Sequence, residues 1–467
     1  MLFNSWHFVF FLILVLVIAS FLRRDSAAWK FFVIAASCYF YGQWSYFYLG
    51  LIFVTAAIDF TLALRLNQAR HPGRLLGLSI VANLGVLAFF KYTNFLIQSA
   101  NDVAQATGAV WAITPLDIVL PVGISFYTFQ NMSYTIDVYR GQLAPRKSIL
   151  DYAVFTTFFP QLLAGPIVRA SEFFGQLDRP ARIDLRKIQY ALILIAAGYV
   201  KKIVLADNLA ISVEEVFLAP ANASAWQALL AVYAFAFQIY FDFSGYTDIA
   251  IGLALLLGLE FPKNFNYPYL ATSFQDFWRR WHMTLSRWLR DYLYISLGGN
   301  RYGLARTMAS LMTTMILGGL WHGASWNFVV WGALHGAYLV LERLVMSKIY
   351  WWQSQWLPVV WLRWFVVFHL ICFAWIFFRA PDFATSLQII HKIAGVFTTS
   401  FDGLSFGALT SLLLGLIAMH FLMSHFDIKQ RLSRAGIWPF SFFVAAMILL
   451  LIWFTPAKTV PFIYFQF

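Results

Sequence analysis

Charge is what this sequence has least of. Of its 467 residues only 12% are Asp, Glu, Lys or Arg, where a soluble globular domain carries roughly 25%. That shortage excludes a soluble protein, and a hydrophobic share of 61% points to a chain that crosses the membrane many times. Cysteine is nearly absent too. Cys38 and Cys372 both lie in apolar runs, which excludes a disulfide framework and a thiolate metal site. His, Asp and Glu nowhere cluster at ligand-like spacing, so no metal and no bound cofactor is expected. A basic leader with a small-residue cleavage site is missing around Trp6, so no cleavable signal is expected. Internal repeats, low-complexity tracts and a soluble domain are also missing, and residues 1–467 read as one integral-membrane domain. Acidic residues are fewer than basic ones, 21 against 33, a net charge of +12. Basic cytoplasmic loops account for that excess without a nucleic-acid partner; the partner it implies is membrane lipid.

What is abundant is aromatic surface, 19% of the chain with 49 Phe and 19 Trp, suited to packed helices with interfacial belts. Apolar runs predict spans at 6–22, 31–41, 47–64, 75–97, 121–139, 188–205, 226–259, 307–321, 325–341, 361–378, 404–422 and 440–454. The count is about eleven, with an error of about two. Residues 152–167, interrupted by Pro160, Gly165 and Pro166, read as re-entrant: they start and end beside basic residues, among them Arg169, Arg179, Arg182, Arg186 and Lys187. The span 226–259 reads as broken at Asp242–Asp248 (DFSGYTD). Basic loops alternate with non-basic ones, which places both termini outside the cytoplasm.

The stretch 317–336, LGGLWHGASWNFVVWGALHG, holds the sharpest signal. Histidine at membrane depth is costly unless paired or used. Gly318, Gly319, Gly323, Ala324 and Ser325 crowd round His322 and would let a substrate or another backbone come close. Trp321 and Trp326 flank it, with Asn327 next in line. Burial keeps such an imidazole neutral and able to accept a proton near pH 7, which is what acyl transfer to a hydroxyl needs. On one continuous helix His335 would lie about 220° round from His322, and it reads as packing.

Residues 277–292 read as one interfacial amphipathic helix. Trp278, Trp281, Leu285, Trp288, Leu289 and Tyr292 share a face; Arg279, Arg280, Arg287, Arg290 and Asp291 lie opposite, with Asp276–Arg280 and Arg287–Asp291 as pairs four residues apart. His282 sits at the edge of the aromatic face. On the helical wheel it is a hydrogen-bonded packing residue or a site residue. The arginines are either topological charge or ligands for the phosphates of a donor such as coenzyme A. Asp242 and Asp248 could cap helix ends, pair with an arginine or orient a histidine. Asp59 and Asp137 raise the same question more faintly.

At these residues the chain resembles the membrane-bound O-acyltransferase family, and within it the bacterial branch that acetylates exported polysaccharides. The matching stretches are PVGISFYTFQNMSYTIDVYR (121–140), FFPQLLAGPIVR (158–169), YFDFSGYTDIAIG (240–252), NFNYPYLATSFQDFWRRWHMTLSRWLRDYLYISLGGNR (264–301) and LGGLWHGASWNFVVWGALHG (317–336). They run in family order over a core at 115–345. The resemblance implies an all-α ring of tilted transmembrane helices with re-entrant pieces around a central funnel. It maps the family's embedded active-site histidine to His322 and the branch's second important histidine to His282. It also implies acetyl-CoA as donor, periplasmic acetyl-transfer partner proteins of a polysaccharide-modification complex, and a bacterial inner membrane.

The expectation is therefore an inner-membrane O-acetyltransferase serving an exported polysaccharide. His322 and His282 are its catalytic candidates. Arg279, Arg280, Arg287, Arg290 and Trp278 are donor-site candidates. Trp321, Gly323, Ser325, Trp326, Asn327, Asp242 and Asp248 are lining candidates. Alginate and cellulose are both candidate polymers, the short segment after the last span leaning the reading to cellulose. One rival is D-alanyl or other acyl transfer to a cell-wall polymer. The other is a non-catalytic transporter of acetyl groups or polysaccharide, which broken helices also suit but which an inverted repeat would support better.

Overall fold

The structure is a computed structural model that describes residues 1, 3–179, 184–399, 403–426, 428–456 and 461–463. Arg182 lies outside the described residues. Among the described residues every regular element is helical. Among the described residues seven helices are long and apolar enough to cross a membrane, and three shorter apolar helices accompany them. The chain is a multi-pass membrane protein. The hydropathy reading gave about eleven spans because it also counted helices of 15 or 16 residues, short of the roughly 20 that a bilayer needs.

The chain divides into two compact units. Unit 1 comprises Met1–Ala191 with Ala250–Pro262. Its helices are α1 (Trp6–Ser20), α2 (Ala27–Gly42), α3 (Tyr46–Leu66), α4 (Pro72–Ala106), α5 (Ile124–Tyr139), α6 (Ile149–Thr157), α7 (Phe159–Leu162), α8 (Ala170–Leu177) and the start of α9 (Leu185–Tyr199). The α5 helix is buried on all sides from Ile124 to Val138, so its polar residues need partners inside the protein. On neighbouring α3, Asp59 accepts hydrogen bonds from Ser79 Oγ (2.6 Å) and Asn83 Nδ2 (2.8 Å) of α4, and Ser79 Oγ also reaches Thr135 of α5 at 2.9 Å. Asp59 thus ties helices together. The supposed re-entrant piece, 152–167, holds the end of α6 and all of α7, turned at Phe158, and is buried throughout except at Ala153, as broken backbone at membrane depth must be.

Unit 2 comprises Leu192–Ile249 and Lys263–Phe467. After α9 the chain makes a π-helical turn, Val200–Ala206, and continues as α10 (Asp207–Leu218) and α11 (Ala225–Leu256). Two short helices follow, α12 (Phe274–Arg280) and α13 (Met283–Trp288), and then α14 (Leu304–His322), α15 (Trp326–Leu344), α16 (Leu357–Arg379), α17 (Phe383–Ala394), α18 (Gly403–His425), α19 (Ile428–Ser433) and α20 (Ile437–Phe454).

Two expectations are corrected here. The first is the break at Asp242–Asp248: α11 runs unbroken through it. Gly245 serves helix packing instead. A Cβ there would lie 2.7 Å from the Gly198 carbonyl oxygen, so α9 and α11 touch backbone to backbone. The aspartates are neutralised from the π-helical turn. Lys202 Nζ pairs with Asp242 (2.5 Å) and Asp207 (2.8 Å), with all three side chains buried. Asp248 takes Lys201 at 2.8 Å and Lys429 at 2.6 Å. Neither aspartate caps a helix; both complete ion pairs, with lysine where arginine was expected.

The second correction concerns 277–292, which is not one helix. It breaks at Trp281–His282, where His282 takes a left-handed φ of +40°, uncommon for a residue with a side chain. The aromatic face is nonetheless buried: Trp281 and Leu285 are 0% exposed. The expected Asp276–Arg280 pair forms at 2.8 Å, and Arg290 pairs with the adjacent Asp291 at 2.6 Å.

The hairpin of α14 and α15 places His322. A Cβ on Gly319 would run into the carbonyl oxygen of Phe328, and one on Gly332 into that of Met315. The glycines therefore let two backbones meet; at Gly323 the space is taken by the Phe328 ring. The gap in the sequence is filled by protein. Gly319→Ala is expected to push the helices apart at a cost of about 1–3 kcal/mol or more, read as a lower melting temperature in detergent. An unchanged melting temperature would show that the hairpin has slack there.

Candidate functional site

His322 ends α14 with 4% of its surface exposed. Its ring is enclosed edge-on by Trp321 and Trp331, each with ring centres 5.1 Å away, and by Phe378 at 5.3 Å. The indole facing it from α15 is thus Trp331. Trp326, expected to flank it, opens α15 with 57% exposure. Ser325 is the residue before α15, and Asn327 is buried and donates from Nδ2 to the Ala380 carbonyl at 3.0 Å, which holds the α15 start against the end of α16.

The second imidazole is close. His282 and His322 have ring centres 6.4 Å apart. Sequence distance gave no hint of it, because the helix break at His282 is what turns that ring inward. His282 is 0% exposed. Phe243 of α11 meets it edge-on at 4.7 Å and Trp321 lies 6.0 Å away. His282 lies in the turn between α12 and α13, both far too short to span a membrane. Desolvation by burial lowers its pKa to about 3, so the ring is neutral at physiological pH.

Three groups fix that turn. Ser273 Oγ accepts the Asp276 N–H at 3.0 Å, and Glu342 of α15 accepts the Phe274 N–H at 2.6 Å, so the first turn of α12 is capped twice. On the far side Asn264 takes over. Its carbonyl accepts the Met283 N–H at 2.9 Å, and its Oδ1 accepts the Thr284 N–H at 3.1 Å, the Thr284 hydroxyl at 2.9 Å and lies 3.2 Å from His282 Nδ1. Sequence reasoning passed over Asn264, Trp331, Phe378 and Phe243. Only Trp331 carried a signal, as an aromatic on α15 beside a buried histidine.

The remaining candidates sit at differing distances from the pair. Asp242 adjoins Phe243 in the chain but accepts Lys202 and the Ile463 N–H (2.8 Å). Asp248 lies in its lysine pair. Arg279 and Arg290 are exposed, and Arg280 and Arg287 half-buried, on the outer side of α12 and α13. Trp278 leans on His335 at 5.1 Å rather than on His322. His335 is itself fully buried between Trp278 and Trp331 (4.6 Å) and stacks on Phe277 at 5.9 Å, a packing position, though it stands on α15 and not on one helix with His322, which ends α14.

Two buried imidazoles in an aromatic enclosure can move a proton where little water competes. Residues 142–380, which contain both histidines, match the sequence profile of MBOAT, the membrane-bound O-acyltransferase family. A probable alginate O-acetylase of Azotobacter vinelandii is 37% identical over 437 residues, covering 92% of this chain and 85% of the relative. A peptidoglycan O-acetyltransferase of Helicobacter pylori is 36% identical over 396 residues, or 79% of this chain and 74% of the relative. A teichoic acid D-alanyltransferase of Bacillus subtilis is 27% identical over 290 residues, or 58% and 71%.

Proposed function

This chain belongs to the membrane-bound O-acyltransferase family, and from that membership we propose that it is an inner-membrane O-acetyltransferase acting on an exported polysaccharide. The family makes it an O-acyltransferase; the acetyl group, the polymer and the residue roles are the proposal. One observation carries it: the paired buried imidazoles of His282 and His322, 6.4 Å apart, inside the segment matched to the family. His322 takes the proton of an attacking hydroxyl as its oxygen bonds to the acyl carbon of a thioester donor, acetyl-CoA. The carbon–sulfur bond breaks and the thiol leaves with a proton. His282 positions the reacting groups or shares that proton.

The relatives' names support acetyl over other acyl groups. Relatives named for O-acetylation are 36–39% identical to this chain, and two named for D-alanyl transfer are 27% and 30% identical. Alginate and cellulose are the proposed polymers, and the name of the Helicobacter relative sets peptidoglycan beside them. Periplasmic transfer proteins would pass the acetyl group on, and both termini would lie on that side. The four arginines of α12, α13 and the turn after them would meet the donor's phosphates.

Mass spectrometry of the exported glycans, from cells with and without the gene, tests the substrate. Acetyl esters that vanish with the gene are expected, at least about tenfold down. D-alanyl esters vanishing instead would establish the rival reading.

A further inference from the structure

We propose that Asn264 is a positioning residue that fixes the tautomer of His282, presenting Nε2 as the lone-pair nitrogen. The inference rests on the reading of His282 and His322 as the acyl-transfer pair.

One backbone group fixes the assignment. The Thr284 N–H can only donate, so the Asn264 atom 3.1 Å from it is the amide oxygen. The Thr284 hydroxyl, 2.9 Å away, donates to the same atom. That oxygen lies 3.2 Å from His282 Nδ1. An acceptor facing a ring nitrogen makes that nitrogen the protonated one. A neutral imidazole carries a single N–H, so the lone pair falls on Nε2. The same logic orients the histidine of hydrolytic triads, where the third group holds the tautomer and does not react.

Asn264 has this task because His282 cannot be set by its own helix. It precedes α13 in a left-handed conformation and makes no capping bond. Asn264 braces the turn with its backbone as well, accepting the Met283 N–H, while Asn266 donates to the Arg280 carbonyl at 2.9 Å. The ring's faces and edges meet Phe243 and Trp321, and the titratable group facing it is His322 of α14. From α11, Asp242 turns to Lys202, and Glu342 of α15 turns to the start of α12.

A bland alternative is that Asn264 only caps α13. Two variants of the full-length protein, in nanodiscs with acetyl-CoA as donor, separate the readings. Asn264→Leu removes the acceptor. It is expected to lower kcat roughly 10²-fold with KM for acetyl-CoA changed less than about 2-fold. Asn264→Asp keeps an acceptor of the same shape and should recover most of that loss. Its carboxylate also stabilises the imidazolium, so the acid limb of the kcat profile should move to higher pH, by about one unit or more. A cap alone would not move that limb. Should Asn264→Leu fail to fold, the Asn264→Asp profile decides. An unmoved limb, or Asn264→Leu turning over at the wild-type rate, overturns the inference. His322→Ala run alongside keeps the two claims apart: inactive His322→Ala with an unmoved Asn264→Asp limb sinks the role of Asn264 alone, whereas active His322→Ala sinks the pair.

Discussion

Replacing His322 by alanine is expected to reduce acyl transfer by roughly 10²- to 10⁴-fold, the range a positioned general base supplies. The loss should fall on kcat, because the ring is called on when the hydroxyl proton moves, while the donor's affinity is set elsewhere. Folding should survive. The ring ends α14 and is held by contacts with Trp321, Trp331 and Phe378, and a smaller side chain leaves the glycine-packed hairpin of α14 and α15 in place. His282→Ala should be deleterious by a similar route. If the two imidazoles act as a unit, the double variant will be no worse than the poorer single one, since groups acting together are strongly non-additive. Independent roles would multiply the losses. Acetyl content of the exported polymer, in cells whose protein elutes as a folded species, reads all three variants.

The second large effect is on stability. Lys202→Met should destabilise unit 2 by about 3–5 kcal/mol, because it leaves two buried carboxylates without their cation. Lys202 is 1% exposed and reaches both Asp242 and Asp207. It also donates to the Pro461 carbonyl at 3.3 Å and lies over the Phe462 ring at 4.7 Å. Asp242 meanwhile accepts the Ile463 N–H. One cation therefore joins the π-helical turn, α11 and the segment 461–463. The predicted drop in melting temperature is of order 10 °C. Adding Asp242→Asn to Lys202→Met should return part of it, since a neutral amide costs less to bury than an unpaired charge. A Lys202→Met protein that melts like the parent would show that water or lipid headgroups reach this cluster.

What could be read from residues alone follows how local each signal is. Low charge and long apolar runs marked a multi-pass helical membrane protein, because the bilayer imposes those features residue by residue. His322 stood out because a histidine at such depth is costly in any fold. Boundaries of helices near 16 residues, such as α2 and α5, were harder, since hydropathy does not separate a span from a buried helix. DFSGYTD looked like a break because it contains Gly, Ser and Asp. The opposing Lys201 and Lys202, 47 and 40 residues from their aspartates in the chain, neutralise the charges within the unbroken α11, and no window covers both. The real break, at Trp281–His282, has neither proline nor glycine to announce it. It is enforced by Asn264, 18 positions away, and by Glu342, 68 positions from Phe274. The glycines around His322 mark sites of close approach in the sequence, but whether substrate or backbone fills the space is decided by α15.

Purified protein in nanodiscs, given acetyl-CoA, its periplasmic transfer proteins and a soluble oligosaccharide acceptor, tests the central claim most directly. The account predicts release of free coenzyme A matched by acetyl esters on the oligosaccharide, and loss of both in His322→Ala by at least about 10²-fold. Acetyl transfer that continues at the parental rate without this imidazole, or passage of donor or glycan across the bilayer with no thioester cleaved, would contradict it.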